Sequence, residues 1–380
     1  MKIGIIDAEL IGKKKHRFPN LACMKISGHY KENGNDVELV LNYDNLHNYN
    51  LVYISKVFTN TEIPNENYIT SMDHVECGGT GFYYDKAPPL PPEIEHHMPD
   101  YHLYDDWVNQ KLENGGKRKD FEYYLDHSIG YLTRKCFRGC SFCVNKNYKK
   151  VEYASPLKEF LDVSRKYICL LDDNFLGYRD WKVLLEELQN INKRFQFKQG
   201  LDERILNDEK TKMLVESKYY GDYIFAFDNI EDKDIIIEKL KIWRKYYTTT
   251  AQTTKFYIFC GFDRNDVYDE KFWKQDIIDT FERVKILMQY GCLPYIMRHE
   301  NYNNSPYRGI YITLARWCNQ PSFFKKQSLN QYVYIADGKG KEDKMYASKR
   351  YLEDLKKDCP EIAKDYFDLR FEDLNQYSIK

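Results

Sequence analysis

From Ser128 to Glu300 short apolar runs alternate with amphipathic ones, and this alternation restricts the fold more than any other feature. Ser128–Thr133, Tyr167–Leu171, Phe195–Gln199, Tyr223–Phe227, Lys255–Cys260 and Leu293–Met297 have strand length and are rich in β-branched and aromatic residues. Helices are expected between them, at Pro156–Arg165, Asp180–Ile191, Asp208–Ser217, Glu231–Tyr246 and Glu270–Tyr290. Trp181, Leu184, Leu185, Leu188 and Ile191 fall on one helical stripe, and Gly291 stops the last helix. Strands alternating with helices require crossovers and a parallel sheet. Six units make either an open doubly wound sheet or a partial barrel. Every run ends in polar groups, and in a parallel barrel the C-terminal strand ends form the functional face.

The first run leads into Cys136, Cys140 and Cys143, a C-x3-C-x2-C spacing. Three thiolates within eight residues make a compact soft-ligand set, suited to iron–sulfur clusters, zinc or copper. An ordinary 4Fe–4S site uses four cysteines, so three leave one iron open to a ligand. Structural zinc would need a fourth ligand, for which only His127 lies near in sequence.

A chain of 380 residues is too long for one ordinary core. Its net charge of −1 argues against a generally basic nucleic-acid surface and leaves room only for a local patch. No stretch of 18 apolar residues is present, and the N-terminus lacks a signal-peptide apolar core, so no membrane partner and a reducing cytoplasm are expected. Cys23, Cys77, Cys169, Cys260, Cys292, Cys318 and Cys359 then read as small apolar core residues.

Residues 1–105 read as a separate α/β unit with strands at Lys2–Ile6, Val37–Leu41 and Leu51–Ile54, and a helix at Leu21–Asn33 stopped by Gly34. Asp100–Asn114 reads as a polar connector and Gly115–Lys119 as a flexible turn, within a linker over 106–127. A charged, helical extension over 326–380 has its helix at Asp343–Lys357, punctuated by Pro360. Lys13–Arg17 and the glycine-rich turn Gly78–Gly81 are candidate phosphate contacts, and His96 and His97 a candidate metal pair.

The cysteine spacing, with the aromatic Phe142 just before the last cysteine, resembles the radical S-adenosylmethionine superfamily. In that superfamily the open iron chelates the amino and carboxylate groups of S-adenosylmethionine, and an electron cleaves the sulfonium to release a 5′-deoxyadenosyl radical. Phe18–Val40, Cys77–Gly81 and Pro99–Tyr101 are similar to parts of its branch with an N-terminal cobalamin-binding-like domain. Leu171–Phe175 resembles the second-strand motif that contacts the amino group, so Asp172, Asp173 and Asn174 are expected to receive that ammonium. Phe259–Gly261 resembles the fifth-strand motif whose backbone at Gly261 faces adenine. Gln199 and Arg204 are candidates for the cofactor's ribose and carboxylate, Asp228 and Asp263 for its ribose hydroxyls, and Arg298 and His299 for the substrate.

The fold expected over 1–325 is a small Rossmann-like α/β domain followed by a partial (β/α)6 barrel over 128–325. The cofactors implied are a 4Fe–4S cluster and S-adenosylmethionine, with an electron donor such as flavodoxin or ferredoxin and an unknown substrate. Cobalamin is not expected, because the Asp-x-His-x-x-Gly loop of cobalamin-binding members is absent; His102 lacks the glycine and His16 lies among lysines. A cobalamin-dependent radical methyltransferase stays open, as does a non-catalytic zinc or iron–sulfur protein. An RNA methylthiotransferase would need three more N-terminal cysteines, and only Cys23 and Cys77 are there.

Overall fold

The computed structural model describes residues 1–12, 16, 18–249, 252–334 and 342–377. It is a mixed α/β protein with parallel sheets, and it divides into two compact units, Met1–Lys198 and Gln199–Lys380. Lys13, Lys14, Lys15 and Arg17 of the candidate phosphate run lie outside the described residues.

The first unit opens with four parallel strands, β1 (Lys2–Asp7), β2 (Asp36–Leu39), β3 (Leu51–Ser55) and β4 (Val75–Gly78), in the order β2-β1-β3-β4. Helix α1 (Leu21–Glu32) joins β1 to β2; Asn20 caps it by accepting from the Cys23 amide at 3.2 Å, and Gly34 ends it at φ +72°. Strand β4, with only Val75 buried, was too short for its alternation to stand out.

Helix α2 (Asp105–Glu113) occupies the expected polar connector, and it buries Trp107 and Val108. Phe121 and Tyr124 pack in the same core, so 106–127 is part of the folded body rather than a linker. That core also joins Ile3 and Ile5 of β1 to Ile129 and Cys169. Shared burial explains why the compact unit ends at Lys198 and not near residue 105.

Strands β5 (His127–Gly130), β8 (Tyr167–Leu170) and β9 (Arg194–Phe197) form a parallel sheet in chain order. Between β5 and β8, β6 (Thr133–Arg134) and β7 (Glu152–Tyr153) pair antiparallel. The Tyr101 hydroxyl accepts from the Ile129 amide at 2.8 Å and donates to the Phe160 carbonyl at 2.6 Å. The expected helix at Pro156–Arg165 is a single turn over Leu157–Glu159. Asp162 ends it by accepting from the amide and hydroxyl of Ser164, and Arg165 turns inward onto the Tyr124, His127 and Tyr101 carbonyls. Helix α3 (Trp181–Asn190) buries Leu184, Leu185 and Leu188, as the stripe predicts.

The second unit holds a parallel sheet of β10 (Tyr223–Ala226), β11 (Thr254–Cys260) and β12 (Leu293–Arg298), again in chain order. In central β11, Thr254, Phe256, Ile258 and Cys260 are buried in strict alternation. Helices α4 (Asp208–Glu216), α5 (Lys233–Tyr246) and α6 (Glu270–Gln289) follow the predicted periods. Buried Arg283 of α6 donates to the carbonyls of Phe227, Asp228 and Phe259, tying the ends of β10 and β11 together. Helices α7 (Arg308–Cys318), α8 (Glu342–Asp358) and α9 (Pro360–Tyr366) complete the unit, with Pro360 in the first turn of α9, where its missing amide costs nothing. No helix among the described residues is long and apolar enough to cross a membrane.

Asp7, at the C-terminal end of β1, is buried, and burial raises its carboxyl to about 7 against the pull of the Tyr104 hydroxyl. Glu9 pushes in the same direction, and His16 stands 3.8 Å away. A raised folded value means that this group's contribution to stability is fully present below its unfolded pKa and is lost as pH rises through about 7. Asp7→Asn, which mimics the protonated acid, is therefore expected to gain on the wild type as pH rises from about 4 to about 7, and to keep that advantage above, in paired thermal melts. Parallel pH curves for the two proteins would refute it.

Candidate metal-binding loop and strand-end residues

Cys136, Cys140 and Cys143 lie on the loop that the β6–β7 ladder closes. Lys135 and Lys150 both pair with Glu152 across its base, at 2.7 and 3.2 Å. The chain turns at Lys135 and Gly139, both at positive φ, and again where the Cys143 amide donates to the Cys140 carbonyl at 2.9 Å. All three thiols are half-buried and none is in a disulfide.

Amide groups are directed at the sulfurs of Cys136 and Cys143. Cys136 Sγ accepts from the Arg138 amide at 3.5 Å and from Asn174 Nδ2 at 3.3 Å, and Cys143 Sγ accepts from the Asn145 amide at 3.4 Å. Such donors hold negative charge on sulfur. Burial raises the Cys143 thiol, and the nearby Cys140, Cys136 and Asp173 push it further. A metal bound there must therefore displace a proton.

Donor chemistry fits an iron–sulfur cluster: three sulfurs on one loop, with N–H groups on Cys136 and Cys143. Among the described residues no group of three or more ligating side chains is already drawn together around a metal position. His127, the candidate fourth ligand for zinc, is engaged elsewhere. Its Nδ1 bonds the Glu122 carbonyl at 3.0 Å, Nε2 lies 3.4 Å from Gln196 Nε2, and the ring packs between Tyr123 and Tyr167.

Asp172, Asp173 and Asn174 follow β8 and grip the start of the cysteine loop. Asp172 is 1% exposed and accepts from the Leu132 amide at 3.2 Å, the Thr133 amide at 2.7 Å and the Thr133 hydroxyl at 2.6 Å. Burial nevertheless raises its carboxyl to about 7. Asp173 accepts from the Lys135 amide at 2.7 Å and from Arg134 Nε at 3.2 Å. Asn174, 2% exposed, reaches Cys136. Gly177 makes room for this: a Cβ there would stand 2.6 Å from Phe137 Cε1 and 3.1 Å from Asn174 Oδ1. Asp172, expected with Asp173 and Asn174 to receive an ammonium group, is engaged with the Leu132 and Thr133 amides. Its carboxylate is buried against backbone donors, and the tripeptide's observed task is to order residues 132–136.

The other predicted residues lie in the second unit. Asp228 accepts from the Phe259 amide at 3.0 Å and burial raises its carboxyl, so it braces β11. Gly261 sits at φ +76°, and its amide donates to Asp276, which also accepts from the Tyr311 hydroxyl. Asp263 folds its own loop by accepting from the Asn265 and Val267 amides. Arg204 pairs with Asp202 and Asp232, both at 3.0 Å. Gln199 is exposed, and so is Arg298, which lies 4.5 Å over the Tyr302 ring. His299 is half-buried, edge-on to Phe259 and Phe262.

Several side candidates resolve into local structure. His96 pairs with Glu159 and His97 with Glu32, so the two imidazoles do not act together. His102 is exposed and pairs with Asp105, whereas His16 contacts the Tyr124 hydroxyl. Gly79, at φ +103°, has no room for a side chain, since a Cβ would stand 2.3 Å from the Lys56 carbonyl oxygen. That close approach accounts for the glycine without a phosphate. No family model, curated protein or solved structure matches this chain.

Proposed function

We propose that the chain is a radical S-adenosylmethionine enzyme whose Cys136, Cys140 and Cys143 hold a 4Fe–4S cluster. The observation that carries this reading is the loop itself: three sulfurs inside one ladder-closed segment, with N–H donors on Cys136 and Cys143 and the nearby His127 turned away. When bound, the cluster would supply the one-electron reduction that side chains cannot perform.

The protein's own part is positioning. Asp172 and Asp173 fix residues 132–135, and Asn174 holds charge on the Cys136 sulfur. β5, β8, β9, β10, β11 and β12 would be the strands of the partial barrel, a reading supported by their parallel pairing in chain order within each sheet. Gln199, Arg298 and His299 are the strand-end side chains proposed to meet cofactor or substrate; Asp228, Asp263 and Arg204 serve local structure, and His299 also accepts from the Asn301 amide at 3.4 Å. The setting proposed is the cytoplasm, with flavodoxin or ferredoxin as electron donor.

Anaerobic reconstitution with iron and sulfide tests this. A brown protein that releases 5′-deoxyadenosine from S-adenosylmethionine under reductant is expected. A colourless, zinc-loaded, air-stable protein overturns it. Asn174→Ala should keep its iron yet show a more negative reduction potential in an EPR-monitored titration, because a hydrogen bond to sulfur favours the reduced cluster. An unchanged potential would take Asn174 out of that role.

A further inference from the structure

The cysteine loop is held from a second side, by the segment that follows β4 in the same compact unit. Close packing of Gly79 and Gly81 on Lys56 turns the chain sharply there, and the Thr80 hydroxyl anchors it on the Val57 carbonyl at 2.7 Å. Tyr84 then adopts φ +50° and ψ −117°, a backbone that residues with side chains rarely hold. Its hydroxyl donates to the carbonyl of Phe142 at 2.8 Å, immediately before Cys143. The Lys146 ammonium stands 5.2 Å from the Tyr84 ring. Asp85 accepts from Lys146 Nζ at 3.1 Å and from Asn147 Nδ2 at 3.0 Å, while the Lys146 amide donates to the Cys143 carbonyl at 3.1 Å. Cys143 is thus bracketed on both sides by contacts from two consecutive residues of a distant segment.

We propose that Tyr84 and Asp85 form a clasp that fixes the Cys143 end of the loop, making them positioning residues for the third sulfur ligand. The ligand role rests on the function proposed above, whereas the clasp is a property of the loop. Strain at Tyr84 fits this: an unfavourable backbone is retained where surrounding contacts fix it, here a neutral hydrogen bond and a charge-assisted one. Hydrogen bonding to Lys146 holds the Asp85 carboxyl below its ordinary range, so the clasp carries its charge at neutral pH.

The test uses the full chain, first without metal. Under anaerobic reducing conditions the apoprotein is alkylated with iodoacetamide, and Cys143 labelling is compared with Cys136 in the same digest. Tyr84→Phe and Asp85→Asn are each expected to raise the Cys143-to-Cys136 rate ratio about fivefold, the opening that follows loss of one hydrogen bond. Asp85→Lys should raise it too, and adding Lys146→Asp should restore it, which a general loosening of the fold would not do. Reconstituted variants should also lose iron to a ferrous chelator faster than the wild type. Unchanged ratios in both Tyr84→Phe and Asp85→Asn overturn the clasp, even if the wild type binds iron. Changed ratios in a wild type and variants that take up no iron remove the proposed function and leave the clasp as a holder of the loop.

Discussion

Under the function proposed above, alanine at Cys136, Cys140 or Cys143 is expected to abolish iron uptake and S-adenosylmethionine cleavage together. The three sulfurs share one loop, and the one nearby histidine bonds the Glu122 carbonyl and packs between tyrosines. Two thiolates do not retain a four-iron cluster. The fold should tolerate the change, because these side chains are half-buried and outside the cores. Buried Cys169 and Cys318 provide the contrast. Alanine there should keep the iron and cost about 1 kcal/mol of stability, the middle of the range for a single substitution. Iron and sulfide analysis beside urea unfolding separates the two classes. Full iron content in any loop variant would remove that cysteine from the ligand set.

Asp172→Ala should produce the second large effect, on stability and iron uptake at once. The change strips three buried donors of their acceptor: the amides of Leu132 and Thr133 and the Thr133 hydroxyl. Each orphaned buried group costs about 1–3 kcal/mol, so a loss of about 3 kcal/mol or more is expected. The same donors lie on the segment that enters the cysteine loop, so iron uptake should fail although every thiol remains. Asp173→Ala should be milder, about 1 kcal/mol, because it loses one backbone bond and an exposed contact with Arg134. Urea unfolding with iron analysis checks both. Normal iron content in a clearly destabilised Asp172→Ala would break the proposed link between β8 and the loop.

Much of the architecture was legible because it rests on long-period signals. The alternation after residue 128 marked all six strands, β5 and β8 to β12, and four of the five expected helices, and the stripe from Trp181 to Leu188 marked α3. What escaped was short or depended on direction. β6 and β7 have two residues each, below any periodicity, yet they close the cysteine loop. α2 buries only Trp107 and Val108 of its nine residues, so its apolar stripe was too brief to outweigh the charges around it. The acids at 172, 173 and 228 were correctly placed at strand ends. Sequence does not say whether such a carboxylate faces a ligand or the backbone, and Asp172 and Asp228 bond backbone amides. Tyr84 and Asp85 carried no signal at all, since their partners lie 58 and 62 positions away.

The phenol of Tyr101 has a consequence for the border of a sheet. β5 borders its three-stranded sheet, and a bordering strand offers free amides and carbonyls to any other extended chain. The Ile129 amide, which would make that offer, is already bonded to the Tyr101 oxygen, and the proton of the same hydroxyl is spent on Phe160. One side chain stands where a neighbouring strand would otherwise lie, and it cannot pass the pairing on. Removing that oxygen would leave the Ile129 amide, buried with the rest of β5, without its acceptor, so Tyr101 closes this edge from inside the fold.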